Sequence, residues 1–300
     1  MFLNQNLHRA PPEKIRRIRT PTTRKERLLD CILSLSIPPV ADRAEKENPD
    51  RYPRSSPPSE KMSSRTRLTF HITLSTPTPT PSSPTLTIQI TDPRSTTANN
   101  LALATWGSSE ILANQLHRLP IPDFTATGPG TQTFPILELG AGTGLVGLSA
   151  AAIWQQRTCL TDLWPIVPNL EANIAANREE LAKYGGSAVC GMLDWDDPET
   201  RVLGLGEMVR ARVILAADTV YSEEHPALLT KAVVARLERG ERARLVMCYP
   251  LRIGYLDHIR DLWARLEGAG LVCVLEGRET LDQSWEEDTP YEWCVWRWRE

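Results

Sequence analysis

The run Ile136-Leu-Glu-Leu-Gly140-Ala-Gly142-Thr-Gly144 constrains this 300-residue chain more than any other stretch. A short apolar strand meets three glycines at alternate positions, and Leu145 then opens a helical pattern. Glycine lets a backbone turn tightly and approach a ligand where any Cβ would collide. A strand, a glycine turn and a helix are the opening of a βαβ unit, so the run predicts a parallel sheet. Two phosphate-binding versions of such a turn fit poorly. The G-x-x-x-x-G-K-[ST] form is absent. Counted from Gly140, the G-x-G-x-x-G/A form meets Leu145 where it needs a small residue.

Strand and helix keep alternating downstream. Strands are expected over 134–139, 158–161, 188–193, 212–217 and 244–249, and helices over 145–155, 166–184, 226–239 and 255–269. Two final strands, 271–276 and 291–298, stand side by side in sequence and predict an antiparallel hairpin at one edge. Ahead of the glycine run, residues 68–74 and 86–91 alternate as a β-hairpin around a Pro/Ser-rich loop at 75–85. Residues 101–119 carry helical spacing, with a break near Gly107. The fold class is therefore α/β: a Rossmann-like, seven-stranded, mainly parallel sheet with an antiparallel final hairpin, preceded by an N-terminal β-hairpin and helix.

Composition divides the chain. Residues 1–62 are rich in Arg, Pro and Ser and hold one short apolar stretch, too little to offset the entropy of ordering. They are expected to be a disordered basic extension, with the folded domain at 63–300. Residues 1–67 carry 15 Lys and Arg against 8 Asp and Glu, whereas the remainder carries 19 against 29. So acidic a body is a poor general partner for nucleic acid and suits a cationic one. The 6 cysteines form no C-x-x-C pair, which argues against a zinc ribbon or disulfide scaffold and predicts reduced thiols and no metal site. No apolar run reaches membrane-spanning length. A cytoplasmic monomer is expected, the nucleus and mitochondrion being the alternatives.

Candidate site residues sit where the strands are expected to end. The pattern Glu138-x-Gly140-x-Gly142-x-Gly144 is the form that holds S-adenosylmethionine. Asp162 closes the second strand of the sheet, where a carboxylate can accept both ribose hydroxyls of a nucleoside or, alternatively, cap the next helix. Asp194-Trp195 follows the third strand and suits an adenine pocket, with an indole to stack and a carboxylate for the amino group. Ala217-Asp218 closes the fourth strand. Small Ala217 leaves room for a ligand, and Asp218 and Tyr221 face the reactive side of the cleft. Trp106, in the helix ahead of the sheet, can lid the methionine end.

These motifs occur in one order: Trp106-Gly, Leu-Glu-Leu-Gly-Ala-Gly-Thr-Gly, Thr161-Asp-Leu, Pro168-Asn-Leu-x-x-Asn, Asp194-Trp, and Ala217-Asp-x-x-Tyr. Together they resemble the seven-β-strand protein-lysine methyltransferases of the D-x-x-Y kind, over roughly residues 68–300. The resemblance implies an S-adenosylmethionine-dependent enzyme that methylates a lysine of a translation factor or chaperone. It implies that Trp106, Gly140, Ala141, Gly142, Asp162, Trp195 and Ala217 line the cofactor site; the reading of the residues adds Glu138 and Asp194 to that site and gives Asp218 and Tyr221 to the reaction. The partner is then a protein with a cationic, lysine-bearing surface, and neither nucleic acid nor membrane. A small-molecule N- or O-methyltransferase and a non-catalytic interaction module on the same fold are the alternatives. The Pro/Ser-rich hairpin loop departs from the family pattern at the substrate-side rim.

Overall fold

The computed structural model describes residues 67–74, 84–91, 105–121, 124, 134–205, 209–281 and 289–300. The expected disordered extension, residues 75–83 of the Pro/Ser-rich loop and the 101–104 start of the expected helix lie outside the described residues.

The N-terminal hairpin pairs β1 (Leu68–Thr73) with β2 (Thr85–Ile90), Leu68 facing Ile90 and Thr73 facing Thr85. Alternation decides its orientation, since Leu86, Ile88 and Ile90 are fully buried while the residues between them are not. Helix α1 (Gly107–Gln115) follows. It begins at Gly107 and is not broken there. A Cβ at Gly107 would collide with the Tyr291 ring and lie 2.5 Å from Leu281 Cδ1, so only glycine lets the helix start pack against the end of the chain. Trp106 is correspondingly not helical; it is extended, with φ −91° and ψ 155°, one residue before α1.

The main sheet contains β3 (Ile136–Leu139), β4 (Arg157–Asp162), β5 (Ser187–Met192), β6 (Val213–Ala217), β7 (Arg244–Pro250), β8 (Leu271–Glu279) and β9 (Tyr291–Trp298). Their spatial order is β5-β4-β3-β6-β7-β9-β8. The first five are parallel, and β9 runs antiparallel between β7 and β8. The seven strands and the antiparallel final hairpin agree with the sequence expectation, with ends differing by a few residues. Every residue of β3 and β6 is buried, as central parallel strands covered on both faces require.

Helices α2 (Leu145–Ile153), α3 (Val167–Lys183), α4 (His225–Arg236) and α5 (Leu256–Gly268) make the crossovers. Helix α2 is apolar all round, which suits a helix buried on both sides. Its Leu145, Leu148 and Ala151 join the hairpin's Leu86, Ile88 and Ile90 in one core, and its Val146 and Ala150 join α1 and β6 in another. Two asparagines fasten the hairpin to the sheet domain. Asn177 on α3 accepts from Gln89 N–H at 2.8 Å and donates to Gln89 C=O at 2.7 Å, so its amide pairs the edge of β2 as a neighbouring strand would. One turn earlier, Asn173 accepts from Thr91 N–H at 2.8 Å and Thr91 Oγ at 2.6 Å, and donates to Thr143 C=O at 2.9 Å. No helix among the described residues is long and apolar enough to cross a membrane.

Candidate active site

From β3 the chain crosses to β4 on one side and later returns through β6 on the other, so the strand order reverses between β3 and β6. Open α/β sheets bind ligands outside the carboxyl ends of their strands at such a point. The glycine loop leaves β3 there, and Asp218 leaves β6 there.

Gly140, Gly142 and Gly144 all have positive φ, at 64°, 54° and 84°. Gly140 shows why no side chain is tolerated: a Cβ would come within 3.0 Å of both Thr219 Cγ2 and Trp195 Cζ2. The loop is tied down by Ala141 N–H donating to Thr161 C=O at 3.0 Å and Gly144 N–H to Ala141 C=O at 2.7 Å. Counted from Gly142, the run also reads G-x-G-x-x-G, ending at Gly147, so the spacing by itself does not exclude the dinucleotide form. Gly147 lies inside α2, where a Cβ would strike the Glu138 carboxylate.

Glu138, expected to contact cofactor, lies in β3 behind the first turn of the next helix. It is buried, and Oε2 accepts Gly147 N–H at 2.9 Å, satisfying one of the free donors at the start of α2. Burial pushes its carboxyl up to about 8; the Gly147 bond opposes this and the charge of Asp162 adds to it. Asp162, ending β4, accepts Gly142 N–H on Oδ2 at 2.8 Å and Leu163 N–H on Oδ1 at 2.7 Å. It therefore braces the loop from the neighbouring strand and keeps one lone pair on each oxygen. Burial raises its carboxyl, and the two N–H bonds pull it back.

Trp195 overhangs Gly140, and its ring meets His225 edge-on with centroids 5.9 Å apart. His225 also meets Tyr221 edge-on at 4.2 Å and accepts Tyr221 N–H on Nδ1 at 3.3 Å. Tyr221 is 52% exposed, so its ring forms part of the rim. Asp194 is exposed, and its Oδ1 accepts Asp196 N–H at 2.9 Å. Ala217 is buried at the end of β6. Asp218 takes a left-handed backbone, φ 56°, uncommon for a residue with a Cβ and a recurrent feature of functional sites. Burial raises its carboxyl, against the Ser108 hydrogen bond and the positive charge of Arg252. The Arg252 guanidinium lies 5.6 Å from the centre of the Trp106 ring.

Among the described residues, the buried Thr219 hydroxyl and Asn169 amide nitrogen at this edge have no hydrogen-bond partner. Thr219 adjoins Gly140, and Asn169 lies in the first turn of α3, one turn ahead of Asn173. Orphaned buried donors of this kind suit a polar ligand. Sequence reading passed over Ser108, Thr219 and His225. Only their placement within two to four residues of Trp106, Ala217 and Tyr221 hinted at them.

Residues 83–258, 176 of the 300, match the sequence profile of a family described as lysine methyltransferases, and the chain belongs to that family. Among curated relatives, protein-lysine N-methyltransferase EFM2 of Saccharomyces cerevisiae is 32% identical over 205 residues, covering 64% of this chain and 47% of that protein. Protein-lysine N-methyltransferase rrg1 of Schizosaccharomyces pombe is 32% identical over 205 residues, 68% of this chain and 64% of its own. Protein N-lysine methyltransferase METTL21A of Danio rerio is 36% identical over 115 residues, 38% of this chain and 48% of its own. The chain thus spans between about half and two thirds of the relatives it matches. A solved magnesium protoporphyrin IX methyltransferase from Synechocystis, with bound SAM, overlays 64% of this chain and 78% of its own at 15% identity and a TM-score of 0.44.

Proposed function

We propose that this protein transfers a methyl group from S-adenosylmethionine to the ε-amine of a lysine in a protein substrate. One observation carries the reading: the family's motifs, far apart in sequence, meet at the carboxyl ends of the adjacent strands β3, β4, β5 and β6. The cofactor fits this edge on three counts. The glycine loop turns through three positive-φ residues at this edge, the unpartnered buried hydroxyl of Thr219 lies just past the end of β6, and Asp162 keeps acceptor capacity for a diol. In this reading Asp162 holds the ribose, and Trp195 with Asp194 the adenine. Gly140, Ala141, Gly142 and Ala217 take the methionine portion, and Trp106 covers it.

When bound, the cofactor supplies an electrophilic methyl whose bond to sulfur breaks as the bond to nitrogen forms. The protein's own part is to orient, desolvate and exclude water. A lysine amine is charged near pH 7, with an ordinary pKa of about 10.4, and must lose its proton to solvent before it can attack. An apolar channel beside a cation lowers that value. Asp218 accepts a hydrogen bond from the incoming amine and aims its lone pair. Tyr221, held edge-on by His225, walls the channel through which the lysine stem enters. Translation factors and chaperones are the substrate class to test first.

The test is incubation of the protein with methyl-tritiated S-adenosylmethionine and a lysate from cells lacking it, followed by gel separation and amino-acid analysis. A labelled protein band that yields methyl-lysine supports the reading. Label confined to small molecules overturns it in favour of a small-molecule methyltransferase.

A further inference from the structure

We propose that Ser108 is a positioning residue for methyl transfer, holding the Asp218 carboxylate so that one chosen oxygen meets the substrate amine. This rests on the reading of Asp218 given above. Ser108 is the second residue of α1, is fully buried, and donates its hydroxyl proton to Asp218 Oδ2 at 3.1 Å. The backbone of Asp218 is already pinned, because its N–H donates to Cys248 C=O on β7 at 2.9 Å. What remains free is rotation of the carboxylate about its side-chain bonds. Ser108 removes that freedom and engages Oδ2, which leaves Oδ1 for the amine.

The surroundings keep the hydroxyl on this task. A buried hydroxyl must spend its proton somewhere, and Asp218 is the acceptor it reaches. Arg252, placed over Trp106 immediately before α1, brings a positive charge to the same carboxylate. Helix α1 lies outside the βαβ crossovers, so the residue that aims the acceptor comes from the N-terminal element and not from the nucleotide-binding frame.

The experiment measures the initial rate of tritium transfer into lysate protein at saturating S-adenosylmethionine, for Ser108→Ala, Asp218→Asn and the double variant. Cofactor Kd is followed by calorimetry. Ser108→Ala is expected to slow transfer about tenfold, with Kd within twofold of wild type. Its acid limb should move to higher pH, because losing a hydrogen bond to the ionised form raises the carboxyl further. In the Asp218→Asn background the same change should cost less than twofold, since the group it acts through is gone. Ser108→Cys fills the volume but donates weakly, so it should be slow as well; recovery of the wild-type rate would assign the effect to packing and overturn the proposal. An unshifted pH profile, or a full tenfold loss in the Asp218→Asn background, also overturns it. If Asp218→Asn is slow but Ser108→Ala is normal, the proposal alone fails. If Asp218→Asn keeps the wild-type rate, the reading of Asp218 fails and this proposal with it.

Discussion

Glu138 shows how a buried residue can brace the helix that follows the glycine loop. Its carboxyl is held near 8 by burial, against an ordinary 4.5. Between those values the folded protein binds the proton more tightly than the unfolded chain does, so this group's contribution to stability is present at low pH and is lost as pH rises through the window. Glu138→Gln cannot ionise and keeps an acceptor for Gly147 N–H. The difference in Tm between variant and wild type should therefore move in the variant's favour as pH is raised from 5 to 8.5. Parallel Tm curves across that range would show that the carboxyl does not titrate there. Asp162 works on the loop directly. Its two oxygens hold Gly142 N–H and Leu163 N–H, so Asp162→Ala frees two donors at the loop and removes the expected ribose acceptor. Two such losses predict cofactor binding at least about 30-fold weaker. Calorimetry decides it, and a Kd within threefold of wild type would remove Asp162 from the site.

At the scale of elements, the asparagines of α3 join the hairpin to the sheet domain. Asn173 is fully buried, and its side chain makes three hydrogen bonds, two from Thr91 and one to Thr143 in the glycine loop. Asn173→Ala strands Thr91 N–H and Thr143 C=O, and is expected to cost about 2–4 kcal/mol of stability in chemical denaturation. A loss below about 1 kcal/mol would mean that water replaces the amide. Sequence reading met Asn173 only as part of a family signature, because its partners are remote in the chain and an asparagine's spacing does not say what it faces. The parallel strands were legible for the opposite reason: runs such as Val213–Ala217, apolar on both faces, signal full burial locally. The expected helix over 101–119 begins only at Gly107, among the described residues. Its helical spacing was genuine, but what fixes its start is Tyr291, near the other end of the sequence. That Asp162, Trp195 and Asp218 would lie at strand ends was readable from motif order, whereas the contacts of Ser108, Thr219 and His225 became visible only in the fold.

For the molecule as a whole, charge has a direction that the net value of −3 conceals. The carboxyl edge of the sheet carries exposed Asp194, Asp196 and Asp197 after β5, and exposed Glu223 and Glu224 beside Tyr221 ahead of α4. Arg242 and Arg244 lie at the start of β7, and Arg297 and Arg299 at the end of antiparallel β9, which is the opposite edge. On the function proposed above, a lysine-bearing basic surface is drawn to the acidic edge where the reaction would occur. Attraction between exposed charges falls away once the screening length drops from ~14 Å at 50 mM salt to a few ångströms near 0.5 M. It acts on encounter and not on the bound complex, so raising sodium chloride over that range should lift KM for the protein substrate several-fold while kcat stays within twofold. Glu223→Lys with Glu224→Lys should raise KM at low salt and flatten its salt dependence. Cofactor Kd should stay within twofold, because neither glutamate is among the residues assigned to it. A KM that ignores both salt and the double substitution would show that the acidic edge does no steering, leaving contacts at the strand ends to select the substrate.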